Sequence, residues 1–359
     1  MSKQVLKVGA IGCGYWGPNL IRNFIEIPDA DLAIIADLDE KQIDRIMGRF
    51  PQIPASTTNY KDFFEMDLDA VVIATPPQTH YKIAMECMAH GLHCLVEKPI
   101  TLDSREAREM HDYAVANSLK LMVGHTFEYN TAVRELKSLI ESGELGDVYY
   151  IDAVRASLGL FQTKANVLWD LAPHDLSIFR YLTGSDPVNV SAKGVSCIDN
   201  GIEDIAYATF TFPNRVLAHL RASWLDPSKT RKITVVGSKK MVVYDDVEPL
   251  EKIKIYDKGV KAIRRTETYG EFQFAYHYGD VVAPYYRFEE PLRVQCNHFL
   301  DCIRTGETPR SDGVNGLRVV QMLEAADYSM KHSGITVQVD YETSEITPEP
   351  SIAKALNGH

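Results

Sequence analysis

The sequence predicts an α/β protein made of two parts, a doubly wound parallel sheet followed by a domain built on a largely antiparallel sheet. In the first third of the chain, short apolar runs alternate with helical stretches, as in parallel sheets with helices on both faces. After about residue 124, apolar alternation recurs between short polar turns, which is typical of antiparallel strands.

The elements of the first part follow from the spacing of apolar residues. Pro18 fits the first turn of the first helix, where a missing N–H does no harm. Strands are predicted over residues 5–11, 32–36, 69–75, 93–96 and 121–124, and helices over 15–27, 81–90 and 104–117.

The second part begins with two helices and then becomes rich in strands. Helices are predicted over residues 132–142, 173–182, 292–304 and 314–331, and strands over 148–156, 188–195, 205–212, 216–224, 233–236, 241–244 and 253–256. A poorly ordered tail is expected after residue 341, where Pro348 and Pro350 interrupt any periodicity. The predicted domains are therefore residues 1–124 and 125–340, with a tail over 341–359.

Composition limits the classes of function. The chain has 359 residues, and 38 Lys and Arg against 49 Asp and Glu give a net charge of -11, which argues against nucleic acid or a membrane as partner. We expect no signal peptide, because the N-terminus leads straight into a strand, and the six scattered cysteines predict reduced thiols and a cytoplasmic location. No metal is expected, because the spacing of Cys87, His90, His93 and Cys94 matches no common zinc pattern.

A glycine-rich loop lies between the first strand and the first helix. Gly12, Gly14 and Gly17 form the pattern G-x-G-x-x-G around Cys13, Tyr15 and Trp16. In this context the glycines permit a tight turn, close approach of a pyrophosphate and close packing of helix on strand. The first domain is therefore predicted to be a Rossmann domain that binds a dinucleotide at the N-terminus of the helix.

The second strand ends in an acidic residue, Asp37, about 20 residues beyond the last glycine of the loop. A carboxylate at this position accepts hydrogen bonds from the ribose hydroxyls and repels the 2′-phosphate of NADP. The next residues, Leu38 and Asp39, offer no cation for such a phosphate. We therefore expect NAD as the cofactor.

Two further segments end strands on the ligand side of the predicted sheet. Thr75-Pro76-Pro77 forms a stiff loop suited to packing against a cofactor, although a rigid loop without a ligand contact would read the same. Glu97-Lys98-Pro99 follows the fourth strand, where Lys98 could polarise a substrate oxygen or relay a proton to it. The alternative for Lys98 is a solvated surface charge.

A second candidate cluster is the segment from Asp170 to Asp175, which also contains Pro173 and His174. In a helix, residues 170 and 174 share a face, so that His174 could take a proton while Asp170 or Asp175 orients its ring. The same residues suit the first turn of a helix, where acidic side chains and proline are favoured. Both interpretations are compatible.

Together these motifs resemble the Gfo/Idh/MocA family of oxidoreductases over nearly the whole chain. The resemblance implies a C-terminal α/β domain with an open-faced sheet that often mediates dimers and tetramers. It implies that Lys98 and His174 are the catalytic pair and that Asp170 supports them. It also implies the remaining site residues, which are Tyr15, Trp16, His80 and Glu97 toward the cofactor and Lys98, Asn166, Trp169, Asp170 and His174 toward the substrate.

Within the family, residues 14–19, 169–175 and 222–246 resemble bacterial enzymes that act on nucleotide sugars. This resemblance implies oxidation of C3 of UDP-N-acetylglucosamine in lipid A precursor synthesis, with an aminotransferase acting on the product. The alternatives are a dehydrogenase of myo-inositol or a free sugar, a nucleotide-sugar 3-ketoreductase, and a dinucleotide redox sensor without catalysis. Basic residues could hold the diphosphate or merely form a solvated face; they are Arg155, Lys164, Lys229, Arg231 and Lys232.

Overall fold

The structure, a computed structural model, describes residues 4–198, 201–263 and 273–349. Its helices are α1 (Gly17–Glu26), α2 (Glu40–Arg49), α3 (His80–Ala89), α4 (Ser104–Ala116), α5 (Thr131–Glu141), α6 (Val167–Thr183), α7 (Pro291–Thr305) and α8 (Gly313–Lys331). Its strands are β1 (Leu6–Ile11), β2 (Ala30–Ala36), β3 (Ser56–Thr57), β4 (Ala70–Ile73), β5 (His93–Val96), β6 (Leu121–Val123), β7 (Val148–Ala156), β8 (Asn189–Val195), β9 (Ile205–Thr211), β10 (Leu217–Ser223), β11 (Thr230–Gly237), β12 (Met241–Asp245), β13 (Ile253–Ile263), β14 (Gln273–Val282), β15 (Val337–Val339) and β16 (Ile346–Pro348). No helix in the described ranges is both long and apolar enough to cross a membrane.

The chain divides into two compact units that do not follow sequence order. One unit runs up to Tyr129 and takes in Glu289–Gln321, while the other comprises Asn130–Phe288 and continues from Met322. The predicted division placed residues 289–321 in the second domain. They group with the first because the buried face of α7 belongs to the first unit's core.

The first unit is a parallel sheet in the strand order β3-β2-β1-β4-β5-β6. This order reverses between β1 and β4, as in a Rossmann fold, and it confirms the predicted fold class. Helix α1 buries Leu20, Ile21 and Phe24 against the sheet. Four side chains of α7 join the same core, namely Leu292, Cys296, Phe299 and Leu300.

The second unit is a ten-stranded sheet in the order β14-β13-β12-β11-β7-β10-β9-β8-β15-β16. Its described pairings are antiparallel except for β7 and β10, which run parallel. Helix α6 packs on β7, β9 and β10, and helix α5 packs beside it. The predicted largely antiparallel sheet is confirmed, with one parallel pair that arises because a helix and two strands separate β7 from β10.

Several elements differ from the prediction. Helix α6 begins at Val167 rather than at Pro173, because Asn166 caps it and the proline lies inside the helix. Helix α2 and strand β14 were not predicted, and β13 extends to Ile263, beyond the predicted end at residue 256. Part of the predicted tail forms β16, which pairs with β15, while residues 350–359 lie outside the described chain.

Candidate active site

The glycine loop is set by contacts that leave no space for a side chain at two of its three glycines. Gly12 has φ of +100°, and a Cβ there would lie 2.5 Å from the carbonyl oxygen of Ala74. A Cβ on Gly17 would lie 2.0 Å from the carbonyl oxygen of Gly12. Gly14 is different, since nothing lies within 4 Å of the position its Cβ would take. The structure thus leaves open space at the glycine that a pyrophosphate would approach.

Asp37 and Arg45 hold this loop from the side of β2. The carboxylate of Asp37 accepts hydrogen bonds from the amide of Cys13 at 2.6 Å and from the amide of Asp39 at 2.9 Å. The guanidinium of Arg45 donates to the carbonyls of Cys13 at 2.9 Å and Gly14 at 3.3 Å. Arg45 was missed at the sequence level because helix α2, which carries it, was not predicted.

The beginning of α1 presents its aromatic residues to solvent. Tyr15 is 90% exposed and Trp16 is 38% exposed, and the helix has no side-chain cap at Trp16. Free amides at a helix N-terminus attract anionic groups. With the open space at Gly14 and the carboxylate of Asp37, this part of the chain fits NAD, which these residues would hold by its pyrophosphate and ribose.

The loop after β4 is braced by its own side chains. The hydroxyls of Thr75 and Thr79 lie 2.7 Å apart, and Thr79 also donates to the carbonyl of Pro76. His80 is buried, with Nε2 2.8 Å from the carbonyl of Thr75 and Nδ1 2.9 Å from the carbonyl of Pro99. Burial lowers the pKa of His80, against the opposing effect of these carbonyls. His80 therefore ties the Thr75 loop to the Lys98 segment, and its predicted contact with a cofactor stays a prediction.

Glu97, which precedes Lys98 in the chain, is a half-buried residue whose carboxyl oxygen Oε1 is enclosed. Its Oε2 accepts a hydrogen bond from the Lys98 amide at 3.2 Å, and its Oε1 has no hydrogen-bond partner among the described residues. Burial raises the pKa of Glu97 to about 7, against the opposing effects of the Lys98 charge, the Lys98 amide and Trp16. Gly124 makes room for it, because a Cβ there would lie 2.8 Å from Oε2. Lys98 itself is partly buried and precedes Pro99 through a cis peptide bond.

Helix α6 carries the second group of predicted site residues. The Asn166 side chain caps the helix by accepting from the amides of Leu168 and Trp169 at 3.2 Å, and its amide donates to Asp327 at 2.9 Å. Asp170 lies in the first turn, one turn ahead of His174, and both side chains are partly exposed. The side chain of Asn166 therefore has a role at the beginning of α6, and its role toward a substrate stays a prediction.

The two aspartates proposed to orient His174 have different partners. Asp170 accepts a hydrogen bond at 2.9 Å from the indole of Trp224, a residue that sequence reasoning did not single out. Asp175 is buried and forms an ion pair with Arg155, which is also buried. Asp175 thus joins α6 to β7, and the role of Asp170 toward His174 stays a prediction.

The five basic residues considered for a diphosphate include three that are paired. Arg155 is 5% exposed and bound to Asp175, so the structure excludes it as an open phosphate ligand. Arg231 pairs with Asp246 and Lys232 with Asp245. For metals, the described residues contain no group of three or more His, Cys, Asp or Glu that could hold an ion.

Two models of one protein family together match more than half of the chain. The Gfo/Idh/MocA oxidoreductase family model for the NAD-binding Rossmann fold matches residues 6–125, and the model of the family's C-terminal domain matches residues 133–243. The chain belongs to the Gfo/Idh/MocA family. It is therefore an oxidoreductase with an NAD-binding Rossmann domain, as the sequence predicts.

Relatives within the Gfo/Idh/MocA family act on different substrates. UDP-N-acetylglucosamine 3-dehydrogenase of Acidithiobacillus ferrooxidans is 28% identical over 72% of this chain and 79% of its own length. Its solved structure has a TM-score of 0.75 at 25% identity and covers 92% of this chain and 99% of its own. The NAD-dependent scyllo-inositol 2-dehydrogenase of Bacillus subtilis is 23% identical over 94% of this chain and 95% of its own length.

The predicted residues fall into two groups, one in each unit. The residues assigned to the cofactor, together with Lys98, lie at the carboxyl ends of β1, β2, β4 and β5 in the first unit. Those assigned to the substrate, other than Lys98, lie at the beginning of α6 in the second unit. Local patterns in the sequence predicted Asp37, Lys98 and Asp170 as site residues, whereas Arg45 and Trp224 are joined to the glycine loop and to Asp170 by tertiary contacts that no local pattern reveals.

Proposed function

We propose that this protein oxidises a secondary hydroxyl of a sugar with NAD, and that the substrate is UDP-N-acetylglucosamine, oxidised at C3. The observation that carries the proposal is the placement of Asp170 and His174 one turn apart on α6, with Asp170 held by Trp224. A histidine next to a fixed carboxylate is a general base for removing a hydroxyl proton. The NAD-binding loop and Lys98 belong to the first unit.

The proposed roles follow from the chemistry of each side chain. His174 takes the proton of the substrate hydroxyl onto its ring, and Asp170 stabilises the resulting imidazolium. The ammonium of Lys98 stabilises negative charge that develops on the substrate oxygen as the hydroxyl becomes a ketone. The glycine loop and Asp37 would hold NAD, which would supply the acceptor for the hydride of the oxidised carbon.

Two observations favour a nucleotide sugar over the alternatives. The 28% identical relative is named for C3 oxidation of UDP-N-acetylglucosamine, and the segments at residues 14–19, 169–175 and 222–246 resemble enzymes of that kind. The inositol dehydrogenase relative supports the alternative of a free cyclitol or sugar. A 3-ketoreductase would run the same chemistry in reverse. A redox sensor without catalysis would not need Lys98 and His174 together.

The product would be a 3-keto nucleotide sugar, which is a substrate for an aminotransferase because a ketone can condense with an amine. We propose this class of enzyme as the next step. The exposed tyrosines on the sheet of the second unit agree with the proposed dimer or tetramer; they are Tyr149, Tyr150, Tyr207, Tyr276 and Tyr278.

The substrate is tested by following NADH absorbance with purified protein and NAD. UDP-N-acetylglucosamine is expected to give NADH, and UDP-glucose, myo-inositol and glucose are expected to give far less. NADH from myo-inositol alone would overturn the nucleotide-sugar proposal. NADH from none of them, in either direction of reaction, would favour the sensor.

The role of His174 is tested by His174→Asn in the full chain. Loss of a general base is expected to lower kcat by about a hundredfold or more. The dissociation constant of NADH, measured by fluorescence, should stay within about twofold because His174 lies outside the NAD-binding unit. A His174→Asn variant with full kcat would overturn the assignment of the base.

A further inference from the structure

Trp224 is a buried residue at the carboxyl end of β10 whose main chain is fixed on both sides. The indole is 1% exposed, among the largest fully buried side chains in the described chain. The Trp224 amide donates to the carbonyl of Asp204 at 2.9 Å, and its carbonyl accepts from the amide of Gly159 at 3.0 Å. Its position is therefore set by the sheet and by the segment that follows β7.

The indole N–H of Trp224 is directed at a single acceptor, the Oδ2 atom of Asp170, at 2.9 Å. A buried N–H needs a partner, and a carboxylate is a stronger acceptor than a neutral oxygen. Asp170 is partly exposed on α6, and this bond joins its Oδ2 atom to a buried side chain of the same unit. The bond thus fixes the carboxylate one turn ahead of His174.

The segment 157–165, between β7 and the Asn166 cap, packs on the same indole. The ring of Phe161 lies 5.5 Å from the Trp224 ring, inclined at 56°. A Cβ on Gly159 would lie 3.2 Å from Cδ1 of the indole, so the backbone of this segment rests against the ring. Two side chains beside Phe161 point into solvent, since Leu158 is 76% exposed and Leu160 is 77% exposed.

We propose that Trp224 is a positioning residue, which holds Asp170 for its support of His174, and that the segment 157–165 acts on the reaction through this indole. The inference rests on the proposed function. It goes beyond that function because it makes a residue outside the α6 motif, and a surface segment, part of the catalytic arrangement.

The test is a double-mutant cycle of Trp224→Phe and Asp170→Asn, measured as NADH formation. Trp224→Phe keeps a ring in the core and removes the N–H, and it is expected to lower kcat about ten- to a hundredfold with the KM for NAD unchanged. In the Asp170→Asn background, Trp224→Phe should lower kcat further by less than about twofold. Phe161→Ala should show the same dependence with a smaller loss.

Phe210→Leu is the matched control, because Phe210 is buried in the same unit and contacts the ring of Phe179. It should lower the thermal midpoint as Trp224→Phe does and change kcat by less than about twofold. If Trp224→Phe and Asp170→Asn reduce kcat independently, or if Phe210→Leu matches Trp224→Phe in kcat, Trp224 is merely structural and the inference is overturned.

A second measurement does not depend on turnover. In protein labelled with 15N tryptophan, the Trp224 indole proton should exchange with solvent slowly, and Asp170→Asn should accelerate its exchange. Unchanged exchange would overturn the inference. Full activity in Asp170→Asn would contradict the proposed function. Reduced activity in Asp170→Asn together with full activity in Trp224→Phe would overturn the positioning role alone.

Discussion

At the level of single residues, Asp37 has a second partner that its predicted role does not include. Motif spacing predicts a carboxylate that accepts hydrogen bonds from a ribose. In the structure the same carboxylate already accepts the amide of Cys13, inside the glycine loop. A change at Asp37 would therefore alter the loop as well as the choice between NAD and NADP.

Glu97 leads to a prediction about stability and pH. Its pKa of about 7 lies above the usual 4.5, so the folded protein holds a proton that the unfolded chain releases between these values. Stability contributed by that proton is complete below pH 4.5 and is lost as the pH rises to 7. Above pH 7 the loss amounts to about 3 kcal/mol.

Glu97→Gln removes this dependence because an amide does not titrate. The thermal midpoint of Glu97→Gln, compared with that of the parent protein, should be similar at pH 5 and clearly higher at pH 8. Calorimetry at pH 5, 6.5 and 8 measures it. Glu65→Gln, at an exposed carboxyl, serves as the control and should show a difference that does not change with pH. A constant difference for Glu97→Gln as well would contradict the raised pKa.

At the level of elements, the three glycines of the loop do not all serve the same purpose, although the motif contains them together. Gly12 and Gly17 are required by the backbone itself, whereas nothing in the structure lies within 4 Å of the position that a Cβ of Gly14 would take. The motif predicted all three positions, and the structure shows which of them the fold alone needs.

Gly17→Ala should therefore mainly lower stability, whereas Gly14→Ala should mainly weaken the binding of NADH. Gly17→Ala brings a methyl group onto the carbonyl of Gly12 and should lower stability by about 2 kcal/mol or more. Gly14→Ala should leave the thermal midpoint nearly unchanged and weaken NADH binding by about tenfold or more, because its methyl group meets the pyrophosphate. Calorimetry and fluorescence titration of both variants provide the measurement. Tight NADH binding by Gly14→Ala would show that the cofactor does not approach this glycine.

Sequence periodicity predicted most of the helices and strands, and its failures have physical causes. Helix α6 was predicted to start late because Pro173 suits a first turn, yet the capping side chain of Asn166 decides where the helix begins. Strand β14 was missed because its residues are largely exposed and show no buried alternation, as at Tyr276 and Tyr278. It pairs with β13, whose buried residues Ile253 and Ile255 lie in the part of that strand that was predicted.

At the level of the whole molecule, each of the two units is built from two segments that are far apart in the sequence. The sequence predicts a domain boundary near residue 124 because the glycine loop, Glu97 and Lys98 all precede it. No motif marks α7, whose buried residues are ordinary apolar ones, so its membership in the first unit could not be predicted. The candidate site was predictable residue by residue, while Arg45 and Trp224 required the folded structure.

Phe299→Ala tests whether α7 completes the NAD-binding unit. Phe299 is fully buried in the core of that unit, and its truncation should cost about 3 to 5 kcal/mol. NADH binding should weaken or disappear at temperatures where the parent protein still binds. Phe179→Ala, a fully buried ring of the other unit, should lower stability without this early loss of NADH binding. Equal loss of NADH binding in both variants would speak against a separate role for α7.

The late arrival of α7 also concerns how the protein is made. When residue 129 leaves the ribosome, the NAD-binding unit still lacks a helix that begins about 160 residues further along the chain. At the usual rate of synthesis, roughly 8 to 30 seconds pass before that helix is available. During this interval the apolar surface that Phe299 and Leu300 will cover stays without its final packing partner, and the core of the NAD-binding unit is completed only after α7 has been synthesised.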